Sequence, residues 1–393
     1  METPNLWSLN SPDKFWLCRS PISEDAWQEA TQEAESLLGL PKNGGNFSNI
    51  LEMVLGERRF GVSRWELGFF KRLYYLLKPA LPRILTKLLR QFYGKPSKRK
   101  GDANWPIDPR YVLFQKELLR QFLLITGKES IEYTRFWPNN CRFALVLTHD
   151  IETAEGQRFV RKVADMEERL GFRSSFNFVL ERYAIDFDLV KELRERGFEV
   201  GCHGLKHDGK LFSSKAEFDR RVAKINALIK KYGMTGFRSP LTHRNPEWMQ
   251  SLKIEYDTSF FDTDPFEPMP GGTMSIWPFF IGHFVELPYT LVQDYTLTSI
   301  LGEKTPRIWL DKVDFIEEYQ GMALLNSHPD YLKEKNTWDV YCDFLISMKQ
   351  RDNYWHALPT QVASWWRSRT VNWQKNTSEK ITASLKNGNL ELS

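Results

Sequence analysis

The sequence predicts an α/β protein, a parallel sheet or barrel preceded by a helical extension. Three observations predict it. From Phe143 onward, short apolar runs alternate with amphipathic stretches for about 200 residues. Several of those runs end on a polar or ionisable residue, which is where barrels of this class carry their active sites. Over residues 64–100 the apolar residues recur at helical spacing instead.

The elements follow in order. Ser23-Glu24-Asp25 is a helix N-terminus for residues 26–38, and residues 41–47 are a polar, glycine-rich break. The stretch 64–100 holds eleven Lys and Arg against one acidic residue and is interrupted at Pro79 and Pro82. Residues 94–104 read as a polar linker. Residues 143–148 are a strand ending at His149-Asp150, and 157–170 a helix. Strand 174–179, helix 189–195 ending at Gly197, strand 198–202 ending at His203, and helix 215–232 ending at Gly233 come next. Strand-like pieces at 236–238, 285–287 and 322–326 complete the series.

Bulk properties fit this class. A chain of 393 residues is one large domain with an added segment, or two domains, at roughly 100–200 residues each. The net charge of +4 does not indicate nucleic acid. Cys18, Cys141, Cys202 and Cys342 form no CxxC pair, which speaks against a disulfide framework or a cysteine zinc site and for a reducing compartment. No basic start followed by an apolar run opens the sequence, and no run approaches ~18 apolar residues. The expected location is cytoplasmic, peripheral to the inner face of the membrane. The 14 Trp lend slight weight to sugar stacking.

Four short segments carry the chemistry. His203 and His207 are four apart, so on a helical or tight-turn segment they face the same way. Two such imidazoles and a carboxylate make a three-ligand metal site with room for water. Asp150 and Glu152 directly follow an apolar strand and project to one side of an extended backbone. One can ligate while the other takes a proton from metal-activated water; equally, Asp150 or Thr153 can cap the next helix. Arg238 precedes Ser239-Pro240, where an extended backbone lets it lower and orient a neighbouring carboxylate. His328 follows an apolar strand in Leu325-Asn326-Ser327-His328-Pro329 and can protonate a leaving group.

In this order, Thr148-His149-Asp150-Ile151-Glu152, His203 to His207, Arg238 to Pro240 and Leu325 to His328 resemble the motif series of the polysaccharide deacetylase superfamily, the NodB-homology carbohydrate esterases. The resemblance spans about residues 140–368. It implies a distorted (β/α)7 TIM-like barrel, a divalent metal of the Zn2+ type, and hydrolysis of an N- or O-acyl group on a sugar of a glycan or lipid-linked saccharide. It further implies Asp150 as general base, His203 and His207 as ligands, Arg238 as the residue orienting Asp150, and His328 as general acid. Asp257 would support His328, with Asp262 and Asp264 competing for that role. The common first motif has two adjacent aspartates; here Ile151 takes the second place, and Asp150-Ile151-Glu152 is similar to a variant with the acids one residue apart, which makes Glu152 the third ligand. A sugar deformylase and a non-catalytic carbohydrate-binding or scaffold protein on the same barrel are the alternatives.

The expected organisation is thus a basic helical extension over residues 1–135, a polysaccharide-deacetylase-like barrel over 136–370 and a polar tail over 371–393. For residues 64–100, basic residues interleaved with Trp65, Phe69, Phe70, Tyr74 and Tyr75 suggest an anionic membrane surface as partner, against a helical hairpin packed on the barrel with its charged face in water.

Overall fold

Continuous apolar sequence without alternation marks a strand covered on both faces, and Phe143–Ile151 is such a strand, buried along its whole length. It is the organising strand of the fold in the computed structural model, which describes residues 5–19, 23–42, 46–66, 104–267, 269–372 and 380–392. The strands are Ser130–Thr134 (β1), Phe143–Ile151 (β2), Ser175–Phe178 (β3), Glu199–Cys202 (β4), Gly236–Phe237 (β5), Tyr256–Asp257 (β6), Phe279–Ile281 (β7), Phe284–Glu286 (β8), Met322–Ser327 (β9), Tyr354–His356 (β10), Lys380–Lys386 (β11) and Asn389–Leu392 (β12).

β2, β3, β4, β5, β6 and β8 pair in that order, all parallel. β9 runs parallel along the other edge of β2. Beyond β8 the chain makes parallel bridges Phe261↔Tyr289 and Leu291↔Leu325, and the N–H groups of Thr290 and Leu291 donate to Leu324 O at 3.1 Å. These bridges carry the sheet round from β8 to β9, so seven parallel strands make one circuit, as the (β/α)7 expectation requires. β10 adds to the start of β2, and β7 folds back antiparallel on β8.

Local chemistry sets the helices between strands. Thr153 Oγ1 accepts from Gly156 N at 3.2 Å and starts the helix Ala154–Leu170. Of the two capping candidates in the sequence, Thr153 therefore caps and Asp150 stays in the strand. Asp186 and Ser214 cap Phe187–Glu195 and Lys215–Tyr232 in the same way. The apolar stripe of Ala154–Leu170, with Val160, Val163 and Ala164, is fully buried, at roughly 1.5–3 kcal/mol for each valine.

The N-terminal region is helical, with Pro12–Trp16, Glu24–Ala34, Phe47–Val54 and Arg110–Ile125. It is fastened to the barrel by polar contacts as well as by its core. Asn10 Nδ2 donates to Phe280 O at 2.9 Å, and its Oδ1 accepts from Phe280 N at 2.7 Å, so one side chain mimics a strand partner for β7. Glu57 and Arg244 form an ion pair with neither side chain exposed. Arg244 Nε donates to Glu57 Oε2 at 2.9 Å, Gly272 N to Oε1 at 2.7 Å, and Arg244 Nη1 to Thr242 O at 2.9 Å.

Two expectations need correction or placing. Residues 380–392 are not a polar tail: β11 and β12 form an antiparallel hairpin whose β11 pairs with β1. Ile381 and Ala383 face inward, alternating with Lys380, Thr382 and Ser384; the polar face of that alternation hid the strand. The basic stretch suggested as a membrane surface lies, from residue 67, outside the described residues. Its first member, Arg64, is buried, with Nε donating to Gly56 O at 2.6 Å. Among the described residues, no helix is long and apolar enough to cross a membrane.

Removing one partner of a buried ion pair strands the other without solvent. Arg244→Met should lower the unfolding free energy by about 3–5 kcal/mol, read as a shift in the denaturant midpoint with an unchanged slope.

Candidate active site

Successive side chains of a strand point to opposite faces, and at the end of β2 this alternation sorts two kinds of chemistry. Thr148 and Asp150 point into the barrel. His149 points back against the helix Ala154–Leu170, where its Nε2 lies 2.7 Å from Glu167 Oε1. His149, one of the strand-end histidines in the sequence, is therefore outside the site. Glu152, just past the strand, returns to the front and sits 3.1 Å from His207 Nε2.

Glu152, His203 and His207 are the described residues that could hold a metal ion, their ligand atoms lying within 4.8 Å of one another. Two imidazole nitrogens and one carboxylate are a donor set for Zn2+ with an open position, and other divalent ions accept it as well. The segment from His203 to His207 is an irregular loop, not a helix. The turn is made at Gly204, whose φ is +70° and where a Cβ would come within 2.8 Å of Pro240. Of the helical and tight-turn segments that the spacing allowed, the chain uses the turn.

His203 continues from β4, its N–H donating to Phe178 O at 2.8 Å. Its Nδ1 is 3.1 Å from Arg238 O; with the proton on Nδ1, Nε2 is left to ligate. Burial pushes His203 down to about 4 against the pull of Asp150 and Glu152, so the ring is neutral at pH 7, the form that binds metal. For Glu152 burial acts upward, but His207, His328 and His203 outweigh it and hold the carboxyl well below its usual range.

Asp150 is 2 % exposed and has a partner on every side. Asn177 Nδ2 donates to Oδ1 and Asn326 Nδ2 to Oδ2, each at 3.0 Å. His203 Nδ1 is 3.9 Å from Oδ1, and Arg238 Nη1 is 3.8 Å from Oδ2. Burial would raise its pKa, yet His203, Arg238, His328 and the Asn177 amide bring it to about 2. Arg238 is itself held by Thr258 Oγ1 at 2.9 Å and Thr148 Oγ1 at 3.0 Å. Asn177 fits because Gly201 on the next strand leaves room: a Cβ there would fall 2.1 Å from its Oδ1.

His328 follows β9 directly. Its backbone N–H donates to Asp294 Oδ2 at 2.8 Å, and its Nδ1 lies 2.7 Å from Asp294 Oδ1. Burial would lower this histidine, but Asp294 outweighs it and raises the pKa to about 9. The carboxylate beside His328 is therefore Asp294 and not Asp257. Asp257, in β6, is tied to Ser259 (Oγ 2.8 Å, N 3.2 Å) and shares a buried niche with Glu286. Of its competitors, Asp262 pairs with Lys312, and Asp264 accepts from the Tyr289 hydroxyl at 3.3 Å. Asp294 reaches His328 because it follows the Leu291↔Leu325 bridge that lays its segment beside β9.

Sequence reasoning missed Asn177, Asn326 and Asp294. The two asparagines gave a usable signal, since a polar amide inside an apolar strand must find partners. Asp294 gave none.

His203→Ala and His207→Ala should each weaken Zn2+ binding by more than about 100-fold, the upper end of the loss caused by removing a residue that merely supports a ligand. His328→Ala should leave it unchanged. Calorimetric titration of metal-stripped protein checks both.

Residues 139–253 match the family model described as polysaccharide deacetylase. Among curated proteins none matches the chain. Solved structures similar to it include a putative polysaccharide deacetylase from Mycobacterium smegmatis (15% identity, 59% of this chain and 93% of that one, TM-score 0.49). Others are a probable polysaccharide deacetylase from Pseudomonas aeruginosa PAO1 (15%, 60% and 95%, 0.48) and Puue allantoinase (15%, 60% and 93%, 0.48). Residues 139–253, which carry Asp150, Glu152, His203, His207 and Arg238, belong to the polysaccharide deacetylase family.

Proposed function

We propose that the chain is a metal-dependent hydrolase that removes an acetyl group from a sugar of a glycan or lipid-linked saccharide. The observation that carries this reading is the convergence of three chemistries at the C-terminal ends of neighbouring parallel strands. They are an ionised carboxylate (Asp150), a two-histidine, one-carboxylate donor set (Glu152, His203, His207), and a histidine that keeps its proton (His328).

Glu152, His203 and His207 would hold a divalent ion, which would supply Lewis acidity toward water and the acyl oxygen. Asp150 accepts the proton of the attacking water; Asn177, Asn326 and Arg238 fix the direction of its oxygens. As the water oxygen bonds to the acyl carbon and the bond from that carbon to the sugar nitrogen or oxygen breaks, His328 gives its proton to the departing atom. Asp294 holds the His328 ring and stabilises its charged form. An amide substrate needs this proton most, because an amine leaves poorly as an anion.

Zinc-loaded protein should release acetate from an acetylated sugar, and Asp150→Asn should bind zinc as well as the parent while losing about 100- to 10,000-fold in turnover, the usual contribution of a positioned base. An Asp150→Asn variant with full activity would remove Asp150 from the mechanism.

A pH profile reports on His328. The acid is present below its pKa, so turnover should fall as pH rises through about 9. Asp294→Asn removes the charge that raises this pKa, so the alkaline limb should move to lower pH. An unmoved limb would assign it to another group.

A further inference from the structure

His149 and Ser327, the residues that precede Asp150 and His328, meet on the face of the strands away from the site. β2 and β9 are paired at His149↔Ser327, and Ser327 Oγ lies 2.8 Å from His149 Nδ1. The other ring nitrogen is 2.7 Å from Glu167 Oε1 on the helix Ala154–Leu170. Glu167 also accepts from Ser174 Oγ at 2.6 Å and from the Tyr341 hydroxyl. The His149 and Glu167 side chains are wholly unexposed, and the His149 ring stacks on Phe176 with centroids 4.7 Å apart. None of these groups touches the metal ligands or the barrel interior.

Such a cluster is not explained by stability. Taking an ionisable pair out of water costs more than its attraction reliably returns, and apolar residues of similar volume often hold a fold as well or better. Hydrogen bonds add direction, which apolar contacts lack. The adjacent rung of the same ladder, Thr148↔Asn326, is clamped on the opposite face by the Asn326 amide on Asp150. β2 and β9 are thus locked by side chains on both faces at successive rungs, immediately before His328 leaves the ladder and Pro329 begins the next helix.

We infer that His149, Glu167 and Ser327 are positioning residues: from behind the sheet they fix the last rung between β2 and β9, and so the separation of Asp150 from His328. The inference rests on the reading of those two residues as base and acid. His149 lies within the first motif, yet its contribution passes through the backbone of its neighbour.

The test compares Ser327→Ala, which removes the side-chain hydrogen bond from β9 to His149, with the double variant His149→Phe/Glu167→Gln. Acetate release, Zn2+ affinity and melting temperature are measured for each, with Asp150→Asn as control. We expect kcat for Ser327→Ala to fall about 10- to 100-fold, the scale on which a remote displacement of about 1 Å acts. KM and Zn2+ affinity should stay at parent values, the melting temperature should fall by only about a few degrees because the buried His149 Nδ1 loses its partner, and the double variant, where it folds, should lose at least as much kcat. A Ser327→Ala kcat within about twofold of the parent overturns the inference, as does a loss that only follows the folded fraction. If Asp150→Asn itself keeps full turnover, the underlying base assignment has failed, and the positioning role falls with it.

Discussion

A carboxylate cut off from bulk water must be answered by protein charges and dipoles, and the arrangement of this barrel follows from meeting that demand at Asp150. The answering groups come from different strands: Asn177 from β3, His203 from the end of β4, Arg238 from the end of β5 and Asn326 from β9. Only strands that run in the same direction and end at one level can deliver them all. Arg238 is equally buried, and its Nε and Nη2 donate to Thr258 and Thr148. The result is an ionised group whose direction is set before substrate arrives.

The same period-two geometry divides labour at the end of β2. Facing inward, Asp150 and, just beyond, Glu152 are the acids proposed for reaction and metal. Facing outward, His149 and Ile151 serve the seam between sheet and helices, His149 through polar bonds and Ile151 through apolar burial. Ile151 separates the two acids Asp150 and Glu152, and the structure shows what that spacing does. An acid at 151 would point away from the barrel, whereas Glu152 points toward His207. The N-terminal region is joined to this framework through Asn10 on β7 and Glu57 on Arg244, the second of which clamps the turn that follows Arg238.

Much of this was legible in the sequence, for identifiable reasons. Parallel strands buried on both faces leave uninterrupted apolar runs, so β2 and β9 stood out, and glycines at 197 and 233 marked helix ends. Asp150, Glu152, His203, His207, Arg238 and His328 could be singled out because each sits within a few residues of a strand end. Other features are set by the third dimension. The spacing of His203 and His207 left helix and tight turn open, and the turn at Gly204 decides it. Asp257 drew attention only through the family resemblance, while Asp294 lies in the segment that the Leu291↔Leu325 bridge lays beside β9, and no motif marked it. The β11–β12 hairpin was masked by the lysines and hydroxyl residues of its outer face.

On the proposed reading, one metal held by Glu152, His203 and His207 and the base Asp150 act as one hydrolytic unit. Its most direct test is acetate release by metal-stripped protein during titration with Zn2+. Turnover should be negligible without metal, rise in proportion to the first equivalent bound and level off there. Hydrolysis undiminished in the stripped protein, or a full equivalent of bound zinc with no hydrolysis of any acetylated sugar, would contradict it.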